Sequence, residues 1–205
     1  MTEREGRRAG RLIDVEGIDG TGKTTLVAAL AAALRARGER VCVSREPTDG
    51  PFGKKIREST RPGAARLSAE EETELFIADR REHVAQVIAP ALAAGQTVLL
   101  DRYYYSTMAY QGARGLDPVA IQARHRLFAP EPDVLILLDL PVETALARVT
   151  ASRGSIPDQF ESAEYLKKVQ TAFRQIRHPR LILLDAAQPT SALVGSTLEQ
   201  LDSRR

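Results

Sequence analysis

The stretch Gly17-Ile18-Asp19-Gly20-Thr21-Gly22-Lys23-Thr24 constrains this chain more than any other. It follows the run Leu12-Ile13-Asp14-Val15 and precedes a helical spacing of apolar residues: Leu26, Val27, Leu30, Ala31 and Leu34. Strand, glycine-rich turn ending in Lys-Thr, then helix is the order that a phosphate-binding loop requires. The glycines let backbone N–H groups turn onto phosphate oxygens, and the new helix adds its positive end. Lys23 is placed to reach the β- and γ-phosphates, and the Thr24 hydroxyl to ligate Mg²⁺.

A chain of 205 residues, 43% hydrophobic and 27% charged, suits one soluble domain with a substantial core. A net charge of +2 gives no strong field for a nucleic-acid backbone. Basic residues gather at Arg4, Arg7, Arg8 and Arg11, so residues 1–11 are expected to form a flexible, solvated leader before a single domain over 12–205. The leader lacks the apolar segment of a signal peptide, and no apolar run approaches membrane-spanning length. Cys42, between two valines, reads as buried filler, not a disulfide or zinc ligand. A cytoplasmic protein with neither nucleic-acid nor membrane partners is expected.

The spacing predicts a first helix over 23–37, stopped by Gly38, and a strand over 41–44. The segment 49–63, rich in Gly, Pro and charge, reads as loop with room for one turn of helix. Ser68 and Glu71 form a capping box for a long helix to Ala94, closed by Gly95. Apolar strands follow over 97–100, 134–138 and 181–184, with helices after Pro141, over 160–176 and over 191–201. This alternation predicts an α/β fold: a five-stranded parallel sheet covered by helices on both faces, with a short lid at about 151–159.

In such sheets ligands gather beyond the C-terminal strand ends. There the sequence puts Asp19 and Lys23, then Arg45, then Asp101-Arg102. Asp101 has the position of a carboxylate that binds or orients Mg²⁺, and Arg45 with Arg102 suggest a second phosphate, that of an acceptor. Phe76 and Arg80 share a helix face and could sandwich a base, although periodicity alone makes Phe76 plain core. Of Tyr103, Tyr104 and Tyr105, at least one is expected at the surface. Tyr110 and Gln111 could read a sugar or a base edge. The histidines His83, His125 and His178 lack ligand spacing and receive no role.

With these residues in hand, the chain resembles the thymidylate kinase family from about Leu12 to Leu201. Five ordered motifs carry the likeness: Glu16 through Thr25; Arg45-Glu46-Pro47; Phe76 through Arg80; Asp101 through Ser106 with Ala109-Tyr110-Gln111-Gly112; and Pro132-Asp133 leading to Asp139, Pro141 and Arg148. The resemblance implies transfer of the γ-phosphoryl group of ATP to dTMP, with Mg²⁺, on a P-loop NTPase-type fold, in a homodimer. It implies that Gly17, Ile18, Asp19, Gly20, Thr21, Gly22, Lys23, Thr24, Thr25 and Arg148 bind ATP. Asp19, Arg45, Phe76, Arg80, Arg102, Ser106, Tyr110 and Gln111 would hold dTMP, and Thr24, Asp19 and Asp101 the metal. Lys23, Arg102, Asp101, Asp19 and Arg153 would serve catalysis. The chain departs from the family pattern twice. Some members carry an arginine inside the P-loop where this chain has Gly20, and the usual lid Asp-Arg pair reads Asp158-Gln159. Arg153 is then the lid arginine nominated for the transferring phosphoryl group. The alternatives are a kinase for another pyrimidine nucleoside monophosphate, or a nucleotide-binding regulatory module.

Overall fold

In the computed structural model, residues 10–61, 63–153 and 162–203 are described, with the side chains of Ser152 and Arg153 excepted. Five strands, β1 (Arg11–Glu16), β2 (Val41–Arg45), β3 (Thr97–Asp101), β4 (Val134–Asp139) and β5 (Leu181–Asp185), form one parallel sheet in the order β2-β3-β1-β4-β5. β1 lies at the centre, paired with both β3 and β4. Its neighbours β3 and β4 are almost wholly buried apolar runs, as strands covered on two faces must be. Arg11, assigned by sequence to the leader, instead opens β1, because its guanidinium pairs with Glu39 at 2.9 Å and donates to Thr97 Oγ1 at 3.3 Å. Residues 1–9 lie outside the described residues.

Helices cover both faces. α1 (Lys23–Ala36) follows the glycine-rich turn and packs against the last helix, α9 (Thr190–Asp202). Across the sheet, α3 (Ala69–His83), α5 (Tyr104–Gly112), α6 (Pro118–Arg126) and α8 (Ala163–Gln175) form a second group. Ser68 caps α3 as expected, accepting from Glu71 N–H at 3.1 Å while Glu71 accepts from Ser68 N–H at 2.8 Å. The long helix predicted to Ala94 is interrupted by π-helical geometry over Val84–Ile88, before α4 (Ala89–Ala93) carries Pro90, which has no N–H to donate.

Further expectations fail for local reasons. The segment 49–63 holds a full helix, α2 (Pro51–Ser59), which Pro51 opens at its first position and which buries only Gly53 and Ile56. Its apolar stripe was too thin to read. The three tyrosines are all fully buried. Tyr103 is not helical but caps α5 in extended backbone, so its ring leaves in another direction from those of Tyr104 and Tyr105. The three rings then pack in series, tilted to one another by 44° and 39°, with centroids 4.9 and 4.4 Å apart. Cys42 is only half-buried, on the outer strand β2, where burial lifts its thiol pKa. After Pro141, α7 (Val142–Arg153) ends at the edge of the predicted lid, and residues 154–161 lie outside the described residues.

Candidate active site

The carboxyl ends of β1, β3 and β2 lie level, with Val15, Asp101 and Arg45 in one row of the sheet. The glycine-rich turn leaves β1 at this end. Thr24, exposed in the first turn of α1, donates its hydroxyl to Asp101 Oδ2 at 2.5 Å. A hydroxyl and a carboxylate side by side are the hard oxygen donors that suit Mg²⁺, which takes one or two protein ligands beside phosphate oxygens. Asp19, the third oxygen expected at the metal, is instead engaged by Arg102 at 2.6 Å. Lys23 donates Nζ to Ile18 O at 2.8 Å and is buried, which lowers its pKa to about 8, with Arg102 adding to the shift.

Gly20 has φ 83°, and a Cβ there would overlap the backbone carbonyl of Ala145 in α7. The structure therefore explains why the loop carries no side chain at this point. Arg148, one turn later in α7, donates to Ala186 O at 3.0 Å and ties the helix to the segment after β5. Arg153 ends α7, and its side chain lies outside the described residues, as does Gln159.

Arg102 occupies the left-handed region at φ 72°, a conformation that costs a residue with a Cβ about 1–3 kcal/mol. That turn sends its guanidinium back over the loop, to Gly17 O at 3.2 Å, Ser106 Oγ at 2.9 Å, Asp19 Oδ1 at 2.6 Å and the Tyr110 hydroxyl at 3.4 Å. Burial opposes its charge, but Tyr110, Asp19, Glu16 and Asp101 outweigh burial and raise its pKa well above the usual value. Glu16, the last residue of β1, fixes the same corner. It accepts from the N–H groups of Tyr103 and Ser106, each at 2.9 Å, and from the Ser106 hydroxyl at 2.6 Å, so a buried carboxylate closes the N-terminus of α5. Burial raises its pKa, and Arg102 and Ser106 work against the rise.

A cavity of about 270 Å³ opens beside this corner. Of the residues expected at the acceptor, Asp19, Phe76, Arg80, Arg102, Ser106, Tyr110 and Gln111 all line it. Phe76 is partly exposed and stands outside the hydrophobic core, which removes the plain-core alternative. Gln111 is held by its neighbours: its Nε2 donates to Glu72 at 2.6 Å and its Oε1 accepts from Arg114 at 3.2 Å. Arg45 does not line the cavity. Ser44 and Glu46 turn towards α3, so strand alternation sends Arg45 to the other face, where it meets Asp49 at 3.2 Å with its side chain 64% exposed.

Arg57 of α2 lines the cavity instead, braced by bonds to Pro47 O at 3.0 Å and Thr48 O at 2.7 Å. Asp79 clamps the same loop, accepting from the Thr48 amide at 2.8 Å and hydroxyl at 2.6 Å. Sequence reasoning passed over Arg57, Glu46 and Glu72. Glu46 is the second residue of Arg45-Glu46-Pro47, the one signal that could have marked it.

The family model described as "Thymidylate kinase" matches residues 15–196, a span containing the turn, the cavity wall and α7. The chain belongs to the thymidylate kinase family. Among relatives bearing that name, the protein of Xanthomonas euvesicatoria is 51% identical over 185 residues, 90% of this chain and 80% of its own length. That of Xanthomonas oryzae is 50% identical over the same spans. That of Desulfotalea psychrophila is 49% identical over 179 residues, 87% of this chain and 88% of its own. Arg102 stands between the glycine-rich turn, where it bonds Gly17 O and Asp19, and the adjoining cavity, which it lines. Among the described residues no helix is long and apolar enough to cross a membrane.

Proposed function

We infer that the protein is an ATP-dependent dTMP kinase, which transfers the γ-phosphoryl group of ATP to dTMP and yields dTDP and ADP. The observation that carries this reading is the position of Arg102: one guanidinium, bonded to Asp19 of the glycine-rich turn, also forms a wall of the cavity that Phe76 enters. Donor and acceptor sites thus share a corner, as in-line transfer demands.

An anionic oxygen of the dTMP phosphate attacks the γ-phosphorus, the bond to the β–γ bridging oxygen breaks, and ADP leaves with that electron pair. No strong general base is required, because the attacking oxygen already carries charge. Lys23 and the turn amides hold the β- and γ-phosphates. Thr24 and Asp101 would hold Mg²⁺, which when bound supplies further neutralisation of the phosphate oxygens. Arg102, with Arg57 across the cavity, holds the acceptor phosphate; Phe76 stacks on the base, and Arg80 and Gln111 address its edge. Arg153 is assigned to the transferring group from the lid side. The same reading takes the protein as a cytoplasmic homodimer, and the exposed Val119 and Leu127 offer apolar surface for a second copy.

A coupled ADP-release assay across nucleoside monophosphates tests the function. Turnover is expected with dTMP above dUMP and other pyrimidine monophosphates. Tight dTMP binding without ADP release would make the chain a nucleotide-binding module instead.

A further inference from the structure

Arg80 is among the largest fully buried side chains in the molecule, at 1% exposure, yet it forms part of the cavity wall. A guanidinium has five N–H groups in one plane. Glu46 Oε2 takes one edge, accepting from Nε at 2.8 Å and also from Nη2. His125 Nε2 takes the opposite corner, accepting from Nη1 at 2.6 Å. The two remaining N–H groups, one on each Nη, form the end fork, which faces Thr107 Oγ1 at 3.4 Å from both nitrogens. Those are long contacts, and Thr107 is itself a cavity residue.

An arginine always donates, so His125 Nε2 must be the acceptor and its proton must lie on Nδ1. The Nδ1–H donates to Ile121 O at 2.8 Å, which fixes that tautomer. The ring cannot rotate away, since Tyr104 stacks on it at 5.7 Å and Phe128 packs at 5.8 Å. Burial, then Arg80, Arg124 and Arg81, depress its pKa to about 3 and keep it neutral. His83 occupies Glu46's other oxygen at 2.9 Å, so the carboxylate is held from behind as well.

We propose that His125 is a positioning residue for substrate recognition: with Glu46 it clamps the Arg80 guanidinium from two sides, so that the end fork is aimed into the cavity at a nucleobase carbonyl. This rests on the function inferred above. A mobile arginine would have to pay rotamer entropy on binding, whereas a clamped one arrives in place. Glu46 holds one edge of the plane and the Tyr103 ring lies 5.2 Å from the guanidinium carbon; His125 fixes the opposite corner.

The test compares His125→Leu, which keeps bulk but loses the acceptor, with His125→Gln, which restores an acceptor near the Nε2 position. His125→Leu should raise the dTMP KM about tenfold, with kcat and the ATP KM nearly unchanged, and His125→Gln should recover to within about threefold of wild type. Equal damage in both variants, equal damage to ATP and dTMP, or no change in His125→Leu would overturn the proposal. Should His125→Leu fail to fold, histidine ¹⁵N shifts of the wild-type protein at neutral pH decide it. A neutral ring protonated on Nδ1 supports the clamp, and a ring protonated on Nε2 refutes it. A wild-type chain that leaves dTMP unphosphorylated would count against the function, while the nitrogen shifts judge His125 separately.

Discussion

Asp19 Oδ1 and Arg102 Nη2 lie 2.6 Å apart and join the glycine-rich turn to the end of β3. The pair is only partly shielded, with side-chain exposures of 33% and 16%. The cation assigned to the acceptor phosphate is therefore already oriented by a carboxylate, and an incoming phosphate adds a second anion to a prepared arginine.

Replacing that arginine should discriminate between ligands. Arg102→Ala is expected to weaken dTMP binding by at least about tenfold and thymidine binding far less, because a hydrogen-bonded charge is lost only to the phosphate. Calorimetry with both ligands reads the difference. Equal losses would show that Arg102 supports the pocket without meeting the phosphate.

Phe76 offers a cleaner case, since it lies outside the core. Phe76→Ala should cost dTMP affinity about 1–3 kcal/mol, by analogy with other base–aromatic contacts. The ATP requirement and the melting temperature should barely move. A large fall in melting temperature would return Phe76 to a packing role.

Asp14 gives a prediction about stability. It is fully buried in the central strand, and neither carboxylate oxygen has a hydrogen-bond partner among the described residues. Burial, then Glu16 and Glu46, raise its pKa well above the usual value. The folded state thus holds this proton more tightly than the unfolded state does. Its contribution is most favourable below about pH 4 and is lost as pH rises towards the folded pKa. Asp14→Val should accordingly stabilise the protein by about 1–3 kcal/mol at neutral pH. The gain should shrink in denaturant titrations near pH 4; a gain independent of pH would mean that Asp14 is not protonated in the folded state.

The lid prediction rests on sequence. With Gly20 closed to side chains, Arg153→Ala should lower kcat by at least about 10² while leaving both KM values near wild type, the signature of a contact made only in the transition state. Steady-state kinetics with both substrates varied would show it. An unchanged kcat would remove Arg153 from catalysis, and faster turnover in Gln159→Arg would point to a missing lid charge.

What could be read from the sequence was local. The glycine-rich turn, the strand-end Asp101-Arg102 and the Phe76/Arg80 face are each set by a few adjacent residues, and each lies where its spacing put it. The clamp on Arg80 was not readable, because His125 is 45 positions away and a lone histidine carries no pattern until α6 is packed against α3. Arg57 was hidden because α2 shows too little apolar surface to declare itself a helix. Arg45 was misplaced by one step of strand alternation, a matter of facing that strand-end position does not reveal. Asp14 looked like part of an apolar strand, and its cost appears only when both faces are covered.

The contact between Gly20 and α7 bears on how such enzymes can change. A substitution at position 20 cannot be accepted while the Ala145 carbonyl occupies the space of the new Cβ, and the backbone angle at that point penalises any side chain. Exchanging a lid arginine for one in the loop is therefore not a single step. The helix must first withdraw, and withdrawing it would also loosen Arg148 from Ala186. A side chain at position 20 and the present seat of α7 therefore exclude each other, and the packing around one glycine holds the helix where it is.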